Sequence, residues 1–261
     1  MLKKLAAWIL NRSEKSRVCC FHFGRCGSTL LGNMLNSHPQ LEWQSELFHS
    51  LHERPAGTSP TTVAEEQLKR YLLKARFPNF GFETKFQHLD SNGLNLGFGD
   101  YVHRLLQLGF DKHILLSRSN YLRQAISVAR GQLTKTWHVP ANHNIPKHPP
   151  LELDLDHLAL GGRHRTIVDC FRHLDETYQK TELFLKDSEL DYLHLNYERD
   201  LEEDATRGFN KSIDFLGLTS TKPPVSLQKL EKRAVSDIVS NYSAIQSRLK
   251  NTPYEWMCDS D

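Results

Sequence analysis

The residues best suited to chemistry occur in the stretch VCCFHFGRCGSTLLGNMLNS, near the start of the chain. The pattern predicts a buried strand, a turn bracketed by Gly24 and Gly27, and a helix that begins at Ser28 and Thr29. The first N–H groups of a helix lack partners within the helix, and the helix dipole adds partial positive charge there. Arg25 adds a charged guanidinium donor to the turn. Together these features predict a binding site for a phosphate or sulfonate group.

This turn differs from the nucleotide P-loop, whose pattern is G-x-x-x-x-G-K-[ST]. Ser28 stands at the lysine position, and His22 stands where the first glycine belongs. The missing lysine disfavours an NTPase but leaves the anion site intact. An ordinary tight turn is the alternative interpretation. Cys26 is interpreted as a small residue that fills the turn, with a reactive thiolate as the alternative.

Two other cations follow predicted strands further along the chain. Lys85 ends the strand-like run FGFETK, and Arg118 directly follows the buried run KHILLS. Predicted strands alternate with predicted helices throughout, which favours a single α/β domain with a mainly parallel central sheet flanked by helices. Ligands of such sheets bind beyond the carboxyl ends of the strands. We therefore expect Arg25, Lys85 and Arg118 to converge on one polyanion pocket.

The pattern also predicts strands over Lys112–Ser117 and Asp191–Asn196, and helices over Asn120–Thr134 and Ala205–Leu216. Ser119 or Asn120 is the predicted cap of the first of these helices. Helical structure is expected throughout residues 155–186, and a single final helix is expected over residues 236–249. The proline-rich stretch from residue 137 to residue 150 predicts a long loop, and residues 137–153 are assigned to the acceptor side of the site. An amphipathic helix is expected over residues 1–16.

Several residues near these motifs are interpreted as ordinary surface, core or loop residues. Arg123 and Arg130 are interpreted as surface charges, with contact of Arg123 to a phosphate as the alternative. Trp43 and Trp137 are interpreted as core residues, with stacking on an adenine or forming a wall of the acceptor site as the alternatives. His138 is interpreted as a solvated loop residue, with contact to an acceptor as the alternative.

Composition restricts the class of protein. The chain has 261 residues, of which 39% are hydrophobic and 25% charged, as in globular proteins with a core. The net charge of +2 is too small to indicate a nucleic-acid partner. Five cysteines without C-x-x-C spacing favour reduced thiols and a cytoplasmic location over disulfides or a zinc site. The apolar run Leu5–Leu10 is too short for a signal peptide or for membrane insertion.

A resemblance to a known family is carried by two stretches. FHFGRCGSTLLGNMLNSHP resembles the 5′-phosphosulfate loop of sulfotransferases that use 3′-phosphoadenosine 5′-phosphosulfate (PAPS), and LLSRSNYLRQAISVARGQLTKTWH resembles their 3′-phosphate motif. The likeness is to the bacterial families typified by nodulation-factor and trehalose sulfotransferases, and it continues weakly through NYERDLEED and NYSAIQSRLKNTPYEW. It implies a P-loop-NTPase-like sulfotransferase fold, PAPS as co-substrate, adenosine 3′,5′-bisphosphate (PAP) as product, and no metal ion.

The resemblance also implies roles for individual residues. The residues expected to hold the 5′-phosphate and sulfonate are Arg25, Cys26, Gly27, Ser28 and Thr29. Arg118 and Ser127 are expected to hold the 3′-phosphate. Lys229 matches a further basic position for that phosphate, and Lys232 or Arg233 is the alternative.

Sulfuryl transfer resembles phosphoryl transfer, an in-line displacement that depends on positioning and charge stabilisation. Arg25 and Lys85 are expected to neutralise the charge that develops on the leaving oxygen. The acceptor hydroxyl or amine needs a general base. Glu46 matches the catalytic glutamate of the trehalose-type enzymes and is favoured. His88 is the alternative, since it lies one position away from the histidine of the cytosolic eukaryotic enzymes.

The expected acceptor is a small polar molecule such as a carbohydrate or a secondary metabolite. A nucleotide-dependent kinase is the alternative enzyme, which needs a P-loop lysine and an acidic magnesium ligand. Glu198 is the candidate for that ligand. A non-catalytic nucleotide-binding protein is the alternative outside enzymes. No pattern in the chain predicts an oligomeric state.

Overall fold

A parallel sheet forms the centre of the molecule. In the computed structural model the described strands are, in chain order, β1 (Arg17–His22), β2 (Leu41–Glu46), β3 (Asn79–Lys85), β4 (Lys112–Ser117), β5 (Leu158–Leu160), β6 (Arg163–Arg165) and β7 (Asp191–Asn196). The central sheet has the order β2-β3-β1-β4-β7, and all its neighbouring strands are parallel. β5 and β6 form a separate antiparallel pair. The predicted α/β class with a mainly parallel sheet is therefore confirmed.

Helices connect and cover the strands. The structure describes residues 15–48, 58–90, 93–141, 143–144, 148–225, 227, 231 and 233–259. The helices of these ranges are α1 (Ser28–Asn36), α2 (Pro60–Lys74), α3 (Phe98–Gln107), α4 (Tyr121–Thr134), α5 (Ile167–Asp187), α6 (Tyr197–Asp200), α7 (Ala205–Leu216), α8 (Val235–Ile238) and α9 (Tyr242–Leu249). Short 3-10 helices cover Phe86–Leu89 and Glu255–Cys258.

Successive residues of β1 enter two different hydrophobic cores. Cys19 and Phe21 pack with α3, α4 and α5 on one face of the sheet, whereas Val18 and Cys20 pack with α1 and α7 on the other. All four side chains are buried. A strand covered on both faces needs apolar residues at every position, which explains why β1 reads as a continuous apolar run.

Several elements have the bounds that the sequence predicts. β4, β7 and α7 match their predicted bounds. The predicted cap of α4 is confirmed, because the Asn120 side chain accepts a hydrogen bond from the Arg123 N–H. α7 ends at Gly217, whose φ of 68° is the left-handed conformation typical of a helix C-cap.

The prediction of helical structure throughout residues 155–186 is wrong for its first part. β5 and β6 form a hairpin there, turned by Gly161 and Gly162 at φ values of 75° and 88°. Two adjacent glycines in the left-handed region cannot continue a right-handed helix. α5 begins only after Thr166, whose hydroxyl oxygen accepts a hydrogen bond from the Asp169 N–H.

The prediction of one final helix over residues 236–249 is also wrong. The segment divides into α8 and α9, and the chain between them is extended at Val239. Leu151 pairs with this break: its N–H donates to the Ile238 carbonyl, and its carbonyl accepts from the Ser240 N–H. A contact with a distant segment therefore overrides the local helical pattern.

Two predicted features fall mostly or wholly outside the described residues. They are the N-terminal helix over residues 1–16, of which only Lys15 and Ser16 are described, and Lys229. No helix in the described part of the chain is both long and apolar enough to cross a membrane.

Candidate active site

The three strand-end cations lie along one edge of the sheet. Arg25 follows β1, Lys85 ends β3 and Arg118 follows β4, and these strands are neighbours in the order β3-β1-β4. Arg118 Nη1 donates to the Arg25 carbonyl oxygen at 3.0 Å, so these two residues are in direct contact. Lys85 lies on the opposite side of the turn, with its Cε 3.2 Å from where a Cβ on Gly24 would lie. The structure thus brings Arg25 and Arg118 into contact, whereas Lys85 lies beside the same turn without joining them.

The turn between β1 and α1, residues 24–29, is called the anion loop here. Gly24, Arg25 and Gly27 have φ values of 84°, 53° and 82°. Gly27 is required twice, because it has a positive φ and because a Cβ there would lie 2.9 Å from Leu201 and Tyr197. No side chain caps the N-terminus of α1. The N–H groups of this first turn are therefore available to an anion.

A cleft opens beside the anion loop. Its walls include Arg25, Ser28, Thr29, Arg118, Ser127 and Trp137. Six predicted donor-binding residues thus line one space: Arg25, Gly27, Ser28, Thr29, Arg118 and Ser127. Cys26 is in the loop but fully buried, consistent with the small-residue interpretation.

Arg25 is held in place from several sides. Its Nε donates to Ser127 Oγ at 3.0 Å, and its guanidinium carbon lies 5.6 Å from the centre of the Trp137 ring. Burial lowers the pKa of Arg25, and the nearby positive charge of Arg118 lowers it further. The positive charges of these two guanidinium groups repel each other. Binding of an anion between them would remove this repulsion.

Arg118 itself has two further partners. Its Nε lies 3.4 Å from Glu198 Oε1, and its guanidinium lies 4.6 Å from the centre of the Tyr197 ring. Glu198 also accepts hydrogen bonds from the Ser119 and Asn120 N–H groups. These contacts use the carboxylate of Glu198 to hold the start of α4. That role disfavours the interpretation of Glu198 as a magnesium ligand of a kinase.

Lys85, Glu46 and His88 form a second group outside the cleft proper. Lys85 Nζ lies 2.6 Å from Glu46 Oε1, and His88 Nε2 lies 4.0 Å from Glu46 Oε2. The Lys85 N–H donates to His88 Nδ1 at 3.2 Å, so this nitrogen carries no proton. Because His88 Nδ1 already accepts a hydrogen bond from the main chain, Glu46 is the better placed of the two candidate bases. Arg54, expected beside Glu46, lies outside the described residues.

Two basic residues on α4 lie at the cleft. Arg123 is buried, with 6% of its surface exposed, and it lines the cleft, so its interpretation as a surface charge is wrong. Arg130 also lines the cleft and is half-buried. Their spacing with Ser127, at positions i, i+4 and i+7, places all three on one face of the helix, and this signal was present in the sequence.

The two tryptophans have different positions. Trp43 is buried, as its core interpretation predicts, and its Nε1 donates to Glu83 Oε1 at 3.0 Å. Trp137 is 39% exposed and lines the cleft, so its core interpretation is wrong. His138 lines the cleft as well, with Nε2 3.5 Å from Thr29 Oγ1. Burial lowers the pKa of His138, and the positive charge of Arg25 lowers it further.

Near the predicted basic position 229, Arg233 is connected to the cleft through two residues that line it, Glu231 and Arg123. Of the two alternatives to Lys229, Lys232 lies outside the described residues, and Arg233 donates from Nη2 to Glu231 Oε2 at 2.6 Å. Glu231 lines the cleft, and the Arg233 carbonyl accepts from Arg123 Nη1 at 3.1 Å.

Within the described residues, no group of three or more His, Cys, Asp or Glu side chains is arranged to hold a metal ion.

Comparison with protein-family models and with curated proteins gave no match. Among solved structures, the crystal structure of a sulfotransferase from Alicyclobacillus acidocaldarius matches this chain with a TM-score of 0.55 and 13% sequence identity. The match covers 94% of this chain and 96% of that one. The fold of this chain is therefore similar to that of a sulfotransferase along nearly its whole length.

Proposed function

We propose that this protein is a PAPS-dependent sulfotransferase that acts on a hydroxyl or amine of a small polar acceptor. One observation carries the proposal: Arg25 and Arg118 touch each other in one cleft beside the uncapped N-terminus of α1. Two guanidinium groups and free helix N–H groups suit a ligand with more than one anionic group.

The donor would occupy the cleft with its two ends at different residues. Arg25 and the N–H groups of the anion loop are assigned to the 5′-phosphate and sulfonate. Arg118 and Ser127 are assigned to the 3′-phosphate, with Lys229 as the further basic residue that the resemblance implies. Arg123 joins this group, since it lines the same cleft on the helix face of Ser127. The ring of Trp137, already against Arg25, offers a stacking surface to an adenine.

The transfer step needs one bond to form as another breaks. The acceptor oxygen or nitrogen bonds to sulfur, the bond from sulfur to the bridging phosphate oxygen breaks, and PAP leaves. Glu46 takes the acceptor proton. Lys85 and Arg25 offset the negative charge that develops on the leaving oxygen. The displacement requires no metal ion, and Lys85 stands beside the anion loop with its Nζ 2.6 Å from Glu46 Oε1.

The test combines a transfer assay with a binding assay. The purified chain is incubated with PAPS and a panel of carbohydrates and polar metabolites in the presence of EDTA, and products are read by high-resolution mass spectrometry. We expect one acceptor to gain a sulfo group. Transfer from ATP that requires Mg²⁺ would favour the kinase, and PAP binding without transfer to any acceptor would favour the non-catalytic protein.

The binding assay uses calorimetry with PAP and 5′-AMP on the wild type and on Arg118→Ala. A lost hydrogen bond to a charged group costs about 1.5–3 kcal/mol, so PAP affinity should fall about 10- to 150-fold. Affinity for 5′-AMP should change little, because that ligand has no 3′-phosphate. Equal losses for both ligands would contradict the assigned role of Arg118 and point to general damage to the anion loop.

A further inference from the structure

A buried polar pair lies beneath the anion loop. His22, the last residue of β1, is fully buried, and Glu83 of β3 is 2% exposed. His22 Nε2 lies 3.3 Å from Glu83 Oε2. Ionisable side chains are rarely so deeply buried unless they have partners, and the proposed transfer reaction uses neither residue. The pair therefore needs a separate explanation.

The surroundings of Glu83 are built to keep it ionised. Burial raises the pKa of Glu83, but hydrogen bonds with His22, Trp43 and Ser28 outweigh it, so that this pKa is lowered. A Cβ on residue 32 would lie 2.5 Å from Glu83 Oε1 and 2.9 Å from Trp43 Nε1. Gly32 in α1 thus leaves the space that the carboxylate and the indole occupy. The missing side chain at Gly32 therefore lets α1 pack closely against the Glu83 carboxylate.

His22 connects the pair to the main chain of the loop. The Gly24 N–H donates to His22 Nδ1 at 2.9 Å, and the Gly24 carbonyl accepts from Gln124 Nε2 at 2.5 Å. Both polar groups of Gly24 are therefore fixed by buried side chains from two elements. An accepting Nδ1 carries no proton, so the ring proton is on Nε2, the nitrogen that faces Glu83. Burial disfavours a charged ring, whereas Cys26 and Glu83 raise the pKa of His22. A second proton would have to sit on Nδ1, where the Gly24 N–H, which donates to that nitrogen, opposes it.

The loop needs such a restraint because its conformation is costly. Arg25 has a Cβ and a φ of 53°, and the left-handed region costs a non-glycine residue roughly 1–2 kcal/mol. Arg25 directly follows Gly24, so the restraint on Gly24 sets the direction in which the chain enters the strained residue. Gly27, Ser28 and Thr29, which line the cleft, begin two residues later.

We propose that His22 and Glu83 are positioning residues for anion binding: Glu83 holds His22 in the Nε2–H tautomer, and His22 Nδ1 holds the Gly24 turn open toward the cleft. The inference rests on the proposed function, because PAP is the anion used to test it. It assigns to two fully buried side chains a role in ligand affinity that they exert without touching the ligand.

Two substitutions of His22 separate its two nitrogens. In His22→Asn the side-chain oxygen can take the place of Nδ1 and accept from Gly24, whereas in His22→Gln the amide group takes the place of Nε2 and faces Glu83. We expect His22→Gln to weaken PAP binding about 10- to 100-fold, as when a supporting residue of a binding site is lost. His22→Asn should stay within about threefold of the wild type, since it keeps the accepting atom.

The outcome separates the inference from the proposed function. A wild type that does not bind PAP by calorimetry contradicts the proposed function itself. A wild type that binds, with equal affinities for His22→Asn and His22→Gln, contradicts the inference alone. Thermal unfolding of both variants without PAP is the control, because a purely structural role would lower both stabilities while leaving the affinities of the folded proteins alike.

A measurement on the wild type does not depend on the folding of any variant. Nitrogen-15 NMR of the histidine ring should give His22 the shifts of a neutral ring protonated at Nε2, with a hydrogen-bond coupling between Nδ1 and the Gly24 N–H. A ring protonated at Nδ1 would overturn the inference, since that nitrogen could not accept from Gly24. In Glu83→Gln we expect the tautomer preference to weaken and PAP affinity to fall.

Discussion

The two candidate bases differ in what their proton-accepting atoms contact. His88 Nδ1 accepts the Lys85 N–H, so the only nitrogen of His88 near Glu46 is the protonated Nε2. Glu46 keeps Oε2 free of the Lys85 contact, which uses Oε1. A carboxylate that gives one oxygen to Lys85 still has a second oxygen for the acceptor proton. The geometry therefore favours the residue that the sequence also favoured.

Glu46→Gln should lower kcat about 10²- to 10⁴-fold, the usual effect of removing a general base, and should leave PAP affinity nearly unchanged. The matched control is His88→Asn, because its side-chain oxygen can still accept from the Lys85 N–H. Steady-state kinetics and PAP calorimetry on both variants check the prediction. A large loss of kcat in His88→Asn together with an active Glu46→Gln would reverse the assignment.

At the scale of residues, sequence reasoning found those that local patterns mark. Arg25, Lys85 and Arg118 each come at the end of a recognisable strand, and parallel strands end at one edge of a sheet. His22 and Glu83 carry no such mark, because their contact joins positions 61 residues apart and depends on the register of β1 against β3. Arg123 was interpreted as a surface charge, with contact to a phosphate only as the alternative, although its spacing from Ser127 was visible.

Among the elements, α4 contributes most to the cleft. Its N-terminus carries the Asn120 cap, and its cleft face carries Arg123, Ser127 and Arg130. One turn further, Gly131 leaves room for the Trp137 ring: a Cβ there would lie 2.4 Å from ring carbon Cε3. A glycine in a helix normally costs stability, so its position here is best explained by the ring that packs on it.

Gly131→Ala should therefore separate helix stability from ligand affinity. The added methyl favours the helix by up to about 1 kcal/mol but displaces Trp137 from Arg25. Loss of this cation–π contact, worth about 0.5–1 kcal/mol, should weaken PAP binding about two- to fivefold. Calorimetry with PAP and urea unfolding measure the two effects.

Two further variants give this prediction its control. Gln132→Ala, at the neighbouring exposed position of α4, should leave PAP affinity unchanged. In the double variant with Trp137→Ala, the effect of Gly131→Ala on affinity should vanish, since the ring it displaces is absent. Additive losses would show that Gly131 acts through something other than Trp137.

The elements that sequence reasoning missed have different causes: the hairpin β5–β6 is turned by the local pair Gly161 and Gly162, whereas the break between α8 and α9 depends on a distant segment. The hairpin β5–β6 and the break between α8 and α9 both occur where local helical patterns are strong enough to suggest a helix. The break is fixed by Leu151, whose main-chain hydrogen bonds reach residues almost ninety positions away. Pairing over such a distance is invisible to a local window, whereas α7 and β4 are decided by nearby residues and were predicted with correct bounds.

At the scale of the whole molecule, the alternation of strands and helices predicted a parallel sheet but not its strand order. In the order β2-β3-β1-β4-β7, β1 pairs with β3 and β4 rather than with β2, and no local pattern reveals such pairing. This order places β1 in the centre, buried on both faces. The anion loop is therefore attached to the most enclosed strand of the sheet, and buried side chains such as His22 can support it from below.

The same enclosure makes stability depend on pH through a different histidine. His113 of β4 is fully buried and stacks on Phe21 at 5.9 Å. Burial lowers its pKa from 6.5 to about 4. Between pH 6.5 and about pH 4, His113 is protonated in the unfolded chain but stays neutral in the folded chain. The free energy of unfolding therefore falls as the pH is lowered through this range. Between pH 7.5 and 4.5 this lowers the free energy of unfolding by about 2–3 kcal/mol.

Urea unfolding at both pH values checks this contribution of His113. In His113→Phe the drop in the free energy of unfolding between the two pH values should be smaller than in the wild type by about 2–3 kcal/mol. Exposed His103→Gln should keep the full drop, and equal drops in all three proteins would contradict the assignment.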